Sequence, residues 1–282
     1  MGMARALGAS VDREADRISV KGSPDTSGTV MLDCGESGLA LRMFAPIAAL
    51  FADNVTMTGE GSLVRRPVTM IAQALEQLGV KVRTTGGFLP VKLSGRLRSG
   101  RAFIDGSSGS QLLTGLLMAL PLADGETWLD VTNLTSKPYI SLTVGLLADF
   151  GITVKNDGFR SFVIPGNQSY RAHDYTVEGD WSGAAFLLVA GAIAGRVTVD
   201  GLNPHSLQAD RAILQALDEA GAGLVTGPCG ITASRSVLRA FTIDATDSPD
   251  LFPPLAALAA MCDGTSRIRG VGRLQHKESN RA

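Results

Sequence analysis

Basic residues stand at the head of three helical segments in this sequence: Arg65-Arg66 before Pro67, Lys137 between Ser136 and Pro138, and His276-Lys277 before Glu278. A helix N-terminus carries partial positive charge, so a cation there is disfavoured unless an anion sits close by. A solvated base or an ion pair with a neighbouring carboxylate satisfies each position taken alone. Recurrence at equivalent places points instead to a shared anionic ligand. A second set of segments opens with small polar residues: Gly35-Glu36-Ser37-Gly38, Gly106-Ser107-Ser108-Gly109-Ser110 and Gly179-Asp180-Trp181-Ser182-Gly183. Amides at such a start can hold phosphate or carboxylate, and Ser or Asp there can equally be an ordinary N-cap.

Other chemistry finds less support. His173, His205 and His276 lack metal-ligand spacing, and the three cysteines, Cys34, Cys229 and Cys262, are odd in number and without CxxC spacing. That argues against a disulfide framework and against a metal site. No GxGxxG follows a strand, and neither GxxxxGK followed by Ser or Thr nor GxSxG occurs, so nucleotide cradles and hydrolase elbows are unsupported. With 26 Lys+Arg against 27 Asp+Glu, the formal net charge of the 282 residues is −1. No global field gathers nucleic acid or a membrane surface, and any anion must be held locally. The longest strongly apolar run, Ala184 to Gly195, falls well short of the roughly 20 residues needed to span a bilayer. The composition reads as a soluble globular chain of a reducing compartment.

The elements that must position these residues recur. Four helix endings, each followed by a strand, carry Gly8, Gly79, Gly151 and Gly221, at intervals of 71, 72 and 70 residues. Gly just past a helix end suits the left-handed turn there, and four at near-constant spacing indicate internal duplication. Each interval predicts the order βαβαββ. The first whole unit runs through Thr29 to Asp33, Gly38 to Phe51, Asn54 to Thr58, Pro67 to Leu78, Val80 to Thr84 and Leu89 to Leu93. The second runs through Ala102 to Asp105, Ser110 to Leu122, Thr127 to Val131, Pro138 to Phe150, Ile152 to Lys155 and Ser161 to Ile164. The third runs through Tyr175 to Glu178, Ser182 to Ala194, Val197 to Val199, Leu207 to Ala220, Gly223 to Val225 and Gly230 to Ala233. A partial unit opens at Phe241. Fold class is α/β with mixed sheets, in two halves: residues 1–172 hold the tail of one unit and two whole units, and residues 173–282 a third unit and a partial one.

These segments resemble the enolpyruvyl transferases, most closely those acting on shikimate 3-phosphate. The resemblance lies in Gly38-Leu39-Ala40-Leu41-Arg42, Thr58-Gly59-Glu60 leading to Arg66-Pro67, Asp105-Gly106-Ser107 leading to Ser110-Gln111-Leu112-Leu113-Thr114, Ser136-Lys137-Pro138-Tyr139-Ile140, Val177-Glu178-Gly179-Asp180, and Lys277-Glu278 with Arg281. A relative acting on UDP-N-acetylglucosamine is the alternative, but its reactive-cysteine loop finds only Glu60 to Arg65 here. The resemblance implies six βαβαββ copies arranged inside-out in two globular halves, with substrates in the cleft between them. On that pattern the chain is incomplete at both ends and weakly active or inactive alone.

The implied reaction transfers the enolpyruvyl group of phosphoenolpyruvate to the 5-hydroxyl of shikimate 3-phosphate and releases phosphate, with no metal or organic cofactor. Such an enzyme is cytoplasmic, serves aromatic amino acid biosynthesis and is a glyphosate target. Carried over, Ser110 and Ser136 hold the shikimate phosphate, Gln111 and Tyr139 meet the ring, Gly38, Arg66 and Lys277 with Arg281 face phosphoenolpyruvate, and Arg42 is a further substrate-binding position. Asp250 is the base for the 5-hydroxyl, and Lys277 and Glu278 serve catalysis and proton relay. Two departures are visible: Glu36-Ser37-Gly38-Leu39 replaces the usual Asn-Ala-Gly-Thr, placing an acid near an expected anion, and Gly109-Ser110 replaces two serines. The partners implied are the two small-molecule substrates, without nucleic acid or membrane. A monomer is implied for the whole enzyme; this chain could instead self-associate, or act as a non-catalytic anion-binding module.

Overall fold

The computed structural model describes residues 1–22, 28–227 and 230–276. It divides into two compact units, Met1–Thr135 with Thr143–His173, and Ser136–Leu142 with Asp174–Ala282. The first unit starts with α1 (Gly2–Ala6) and an antiparallel pair, β1 (Ser10–Arg13) and β2 (Ile18–Lys21). The first repeat follows: β3 (Thr29–Asp33), α2 (Gly38–Phe51), β4 (Asn54–Thr58), a 3-10 turn (Gly61–Arg65), α3 (Thr69–Leu75), β5 (Lys81–Thr85) and β6 (Phe88–Ser94). The second is β7 (Arg101–Asp105), α4 (Gln111–Ala119), β8 (Thr127–Thr132), α5 (Lys137–Asp149), β9 (Lys155–Asp157) and β10 (Ser161–Ile164). Their sheets have one topology, β3-β4-β6-β5 and β7-β8-β10-β9, the first pair parallel and the others antiparallel.

Alternation along the strands decides which face is buried. Val55 pairs with Leu93 and Met57 with Val91, all buried, and Leu129 pairs with both Ala102 and Phe162 on the buried face of the second sheet. Helix α2 buries Leu41, Ala45, Ala48 and Ala49, a stripe at helical spacing. Helix α4 approaches it closely at Gly115, where a Cβ would lie 2.5 Å from the Met43 carbonyl oxygen and 2.8 Å from Pro46.

The second unit contains α6 (Trp181–Ala194), β11 (Arg196–Val199), a 3-10 turn (Ala209–Ala212), α7 (Ile213–Glu219), β12 (Gly223–Gly227) and β13 (Gly230–Ser234). The sheet order is β11-β13-β12. Then come β14 (Thr242–Asp244), a 3-10 turn (Pro249–Leu251), α8 (Phe252–Ala260) and β15 (Arg267–Arg269), with β14 and β15 parallel, and a last 3-10 turn (Val271–His276). Trp181, Leu188, Ile213, Leu217, Phe241 and Leu255 belong to one buried cluster.

The four spaced glycines all adopt positive φ: 89°, 87°, 80° and 80° at Gly8, Gly79, Gly151 and Gly221. Each helix closes alike, the residue after Gly donating its N–H five residues back: Ala9 to Ala4, Val80 to Leu75, Ile152 to Leu147 and Ala222 to Leu217, at 2.8 to 3.1 Å. This is the Schellman closure, which a side chain at the glycine would strain.

Three expectations are corrected. Tyr175 to Glu178 joins no strand ladder; the neighbouring backbone bond is Gly179 N–H to the Gly201 carbonyl (2.8 Å), and Val177 stays 83% exposed, so no apolar side chain anchors a strand there. Helix α3 begins at Thr69, not Pro67, because Val68 leaves the helical region (φ −125°) with its N–H held by the Gly87 carbonyl at 2.9 Å. The strand expected from Ile152 starts at Lys155, since the Ile152 amide closes the preceding helix.

Candidate functional site

The candidate residues gather in two clusters, one in each unit. In the first unit, β3 ends in a tight turn: Asp33 Oδ1 accepts from the Gly35 N–H (2.9 Å), and Ser37 Oγ accepts from the Ala40 N–H (3.1 Å), capping α2. Gly38 follows at the first turn. A Cβ there would lie 2.6 Å from Arg66 Nη1 and 2.8 Å from Arg42 Nη1, so two guanidinium groups close on the helix tip. Arg42 is buried, and its Nη1 donates to Gln111 Oε1 at 2.8 Å, joining α2 to α4. Arg66 comes from the end of the 3-10 turn after β4 rather than from the head of α3, so the cation expected at one helix stands at another. Two like charges this close, partly removed from water, favour a dianion or carboxylate against them, and guanidinium suits either with a two-pronged donor face.

The acid in that region is accounted for. Glu36 Oε2 accepts from the Ser62 N–H (3.0 Å), and its carboxylate occupies the space that a Cβ on Gly61 would need. Glu36 therefore caps the 3-10 turn that delivers Arg66. Burial, with Asp33 adding, pushes the thiol of nearby Cys34 up to about 11, away from the thiolate.

At the tip of α4, Gly109 has φ 113° and Ser110 is buried, yet the Ser110 side chain makes no capping bond. The preceding Asp105 accepts from the Ser107 N–H (3.1 Å) and hydroxyl (3.0 Å) and from Asn133 (3.3 Å). These bonds, the Ser107 amide foremost, hold its carboxyl below the usual range. Of the three small polar tips, α2 and α6 are thus capped by their own Ser37 and Asp180, and α4 is not.

The second cluster begins at Ser136, buried at φ 58°, whose N–H donates to Asp247 Oδ1 at 2.7 Å. One turn on, Tyr139 donates its hydroxyl proton to Asp210 Oδ2 at 3.2 Å, and Ser182 Oγ donates to the same oxygen. Asp210 is completely buried, and burial above all raises its pKa, with Asp250 adding to the rise. Burial, then Asp210, also raises that of the Tyr139 phenol. Asp250 stands in the 3-10 turn before α8, fastened by Ser248 Oγ donating to the Ala209 carbonyl at 2.9 Å. Glu178 is structural here: its Oε1 accepts from Ser206 Oγ (2.6 Å) and Gln208 Nε2 (3.2 Å), fixing the segment that leads to Asp210.

Asp210 was missed from sequence. Its signal is an acid on the stripe 210, 213, 217, shared with the buried Ile213 and Leu217. Lys137 is exposed in the first turn of α5. Lys277, Glu278 and Arg281, along with Cys229, lie outside the described residues. Among the described residues no group of three His, Cys, Asp or Glu could hold a metal ion, and no helix is long and apolar enough to cross a membrane.

Comparison with known proteins adds a consistent pattern. The family model for EPSP synthase (3-phosphoshikimate 1-carboxyvinyltransferase) matches residues 1–282. A 3-phosphoshikimate 1-carboxyvinyltransferase of Methanocorpusculum labreanum is 38% identical, the match covering 98% of this chain and 66% of the relative. One of Clostridium kluyveri is 37% identical with the same coverage. A solved EPSP synthase from Acinetobacter baumannii superposes with a TM-score of 0.75 at 26% identity, over 98% of this chain and 66% of that one. The chain thus spans 66% of the length of these relatives.

Proposed function

The chain belongs to the EPSP synthase family, and on that premise we propose that it serves the transfer of the enolpyruvyl group from phosphoenolpyruvate to the 5-hydroxyl of shikimate 3-phosphate. The observation that carries this reading is the pair of guanidinium groups at Gly38, with Arg42 anchored on Gln111. Phosphoenolpyruvate brings a phosphate and a carboxylate, which Arg42, Arg66 and the α2 tip are suited to take. On the first unit, Ser110 offers a hydroxyl that no cap consumes, and Gln111 a side-chain amide for the shikimate ring. On the second, Ser136 serves the phosphate of shikimate 3-phosphate, Tyr139 its ring, and Asp250 the 5-hydroxyl.

Asp250 accepts the 5-hydroxyl proton as the oxygen adds to C2 of phosphoenolpyruvate, while C3 takes up a proton. The tetrahedral adduct then loses a C3 proton and expels phosphate, leaving the enol ether. Glu278 is the family position for proton relay, and the catalytic Lys277, with Arg281, faces phosphoenolpyruvate. The names of the relatives favour this reading over one on a UDP-sugar.

Calorimetric titration of the chain with shikimate 3-phosphate, followed by a phosphate-release assay with both substrates, tests the proposal. Saturable heat, with at most weak release that depends on both substrates, is the expected result. No heat at millimolar ligand overturns it, and heat without release assigns the chain to binding alone.

A further inference from the structure

A fully buried carboxylate beside a substrate position needs a reason. Asp210 is 0% exposed, and neither a guanidinium nor an ammonium group of the described residues forms an ion pair with it. Its Oδ2 collects two hydroxyl protons, from Tyr139 and Ser182, and its Oδ1 has no hydrogen-bond partner among the described residues. Burying a carboxyl this way costs free energy that an apolar residue of the same shape would not. What the buried carboxyl holds in return is the pair of hydroxyls.

A phenol has one proton and two lone pairs. Ser182 also lies within hydrogen-bond reach of the phenol, and once Tyr139 gives its proton to Asp210 its oxygen can meet any further group only as an acceptor. It then suits a ligand hydroxyl, which donates, and is mismatched to a phosphate or carboxylate oxygen, which does not. We infer that Asp210 is a positioning residue that fixes the Tyr139 hydroxyl as a hydrogen-bond acceptor, tuned to a ring hydroxyl of the substrate and set against its anionic groups. The ring contact rests on the function proposed above; the orientation of the phenol does not. What Asp210 must supply is an acceptor oxygen at the Oδ2 position, which Asn can reproduce and Leu cannot.

The test uses the full chain with Asp210→Leu, Asp210→Asn, Tyr139→Phe and the Leu/Phe double variant. The phenol C–O stretch of Tyr139, isolated as the infrared difference between the parent chain and Tyr139→Phe, should shift in Asp210→Leu and stay near its parent position in Asp210→Asn. In calorimetry, Asp210→Leu and Tyr139→Phe should each weaken shikimate 3-phosphate binding by about tenfold, the double variant should be no worse than the poorer single, and Asp210→Asn should hold within about threefold. A phenol band unmoved by Asp210→Leu, or losses that add in the double variant, overturns the positioning role while leaving the function standing. If Asp210→Leu does not fold, a shifted band or a tenfold loss in the folded Asp210→Asn chain overturns it equally. A parent chain with the expected band that fails to bind shikimate 3-phosphate overturns the functional reading and the ring contact with it.

Discussion

The two clusters carry opposite charge on one repeated scaffold. At the tip of α2, Arg42 and Arg66 close on Gly38, whereas at the start of α5 the carboxylates of Asp210, Asp247 and Asp250 gather with Ser136, Tyr139 and Ser182. Both arise where a strand gives way to a helix inside a βαβαββ frame. The repeat therefore sets where backbone amides and hydroxyls can be offered, and non-equivalent neighbours set the charge. A cationic cluster takes anions; a carboxylate-backed hydroxyl cluster reads donors and accepts protons.

The sharpest way to break the contrast is at Arg42. Arg42→Met removes one guanidinium and its bond to Gln111, and phosphoenolpyruvate affinity, measured by calorimetry with shikimate 3-phosphate present, should fall by about a hundredfold. A loss below about threefold would end the assignment of this cluster to the anion. Gly38→Ala should act less strongly. The added methyl meets the movable ends of two arginines, so thermal stability stays within a few degrees while phosphoenolpyruvate binding weakens by about tenfold.

Two serines at equivalent helix tips separate structure from function. Ser37→Ala removes the cap of α2 and should cost about 1 kcal/mol in denaturant unfolding without touching ligand affinity. Ser110→Ala removes no cap and should leave unfolding unchanged while weakening shikimate 3-phosphate about fivefold. Equal behaviour of the pair would erase the distinction.

The smallest effect is in pH. The carboxyl of Asp210 titrates above its unfolded value, so its contribution to stability is present at acid pH and is lost as pH rises through the folded pKa. Asp105 is displaced the other way, and its contribution is present above the ordinary carboxylate range and lost as pH falls. Urea unfolding across pH should therefore show Asp210→Asn gaining on the parent chain towards neutral pH, and Asp105→Asn losing ground there.

Much of the frame was legible because its signals are local. A left-handed residue at a helix end calls for Gly within one turn, so Gly8, Gly79, Gly151 and Gly221 exposed the repeat without any knowledge of packing. Gly38, Arg42, Ser110, Gln111, Ser136 and Tyr139 could be singled out by motif, but not their partners. Arg66 was read as the head of α3, and it serves α2 instead, because Glu36 caps an intervening 3-10 turn that no periodicity announces. Tyr175 to Glu178 has strand-like residues but joins no strand ladder among the described residues.

By itself the sequence determined the repeat, the positions of the polar helix tips and the absence of a strong net charge, since each depends on residue type and short-range spacing. Only the tertiary structure decided that Asp210 faces Tyr139 across 71 positions and that Asp247 meets the Ser136 amide across 111. Such pairings follow from how sheets and helices pack, and burial then gives a carboxylate or guanidinium a strength that the same residue, read along the chain, does not reveal.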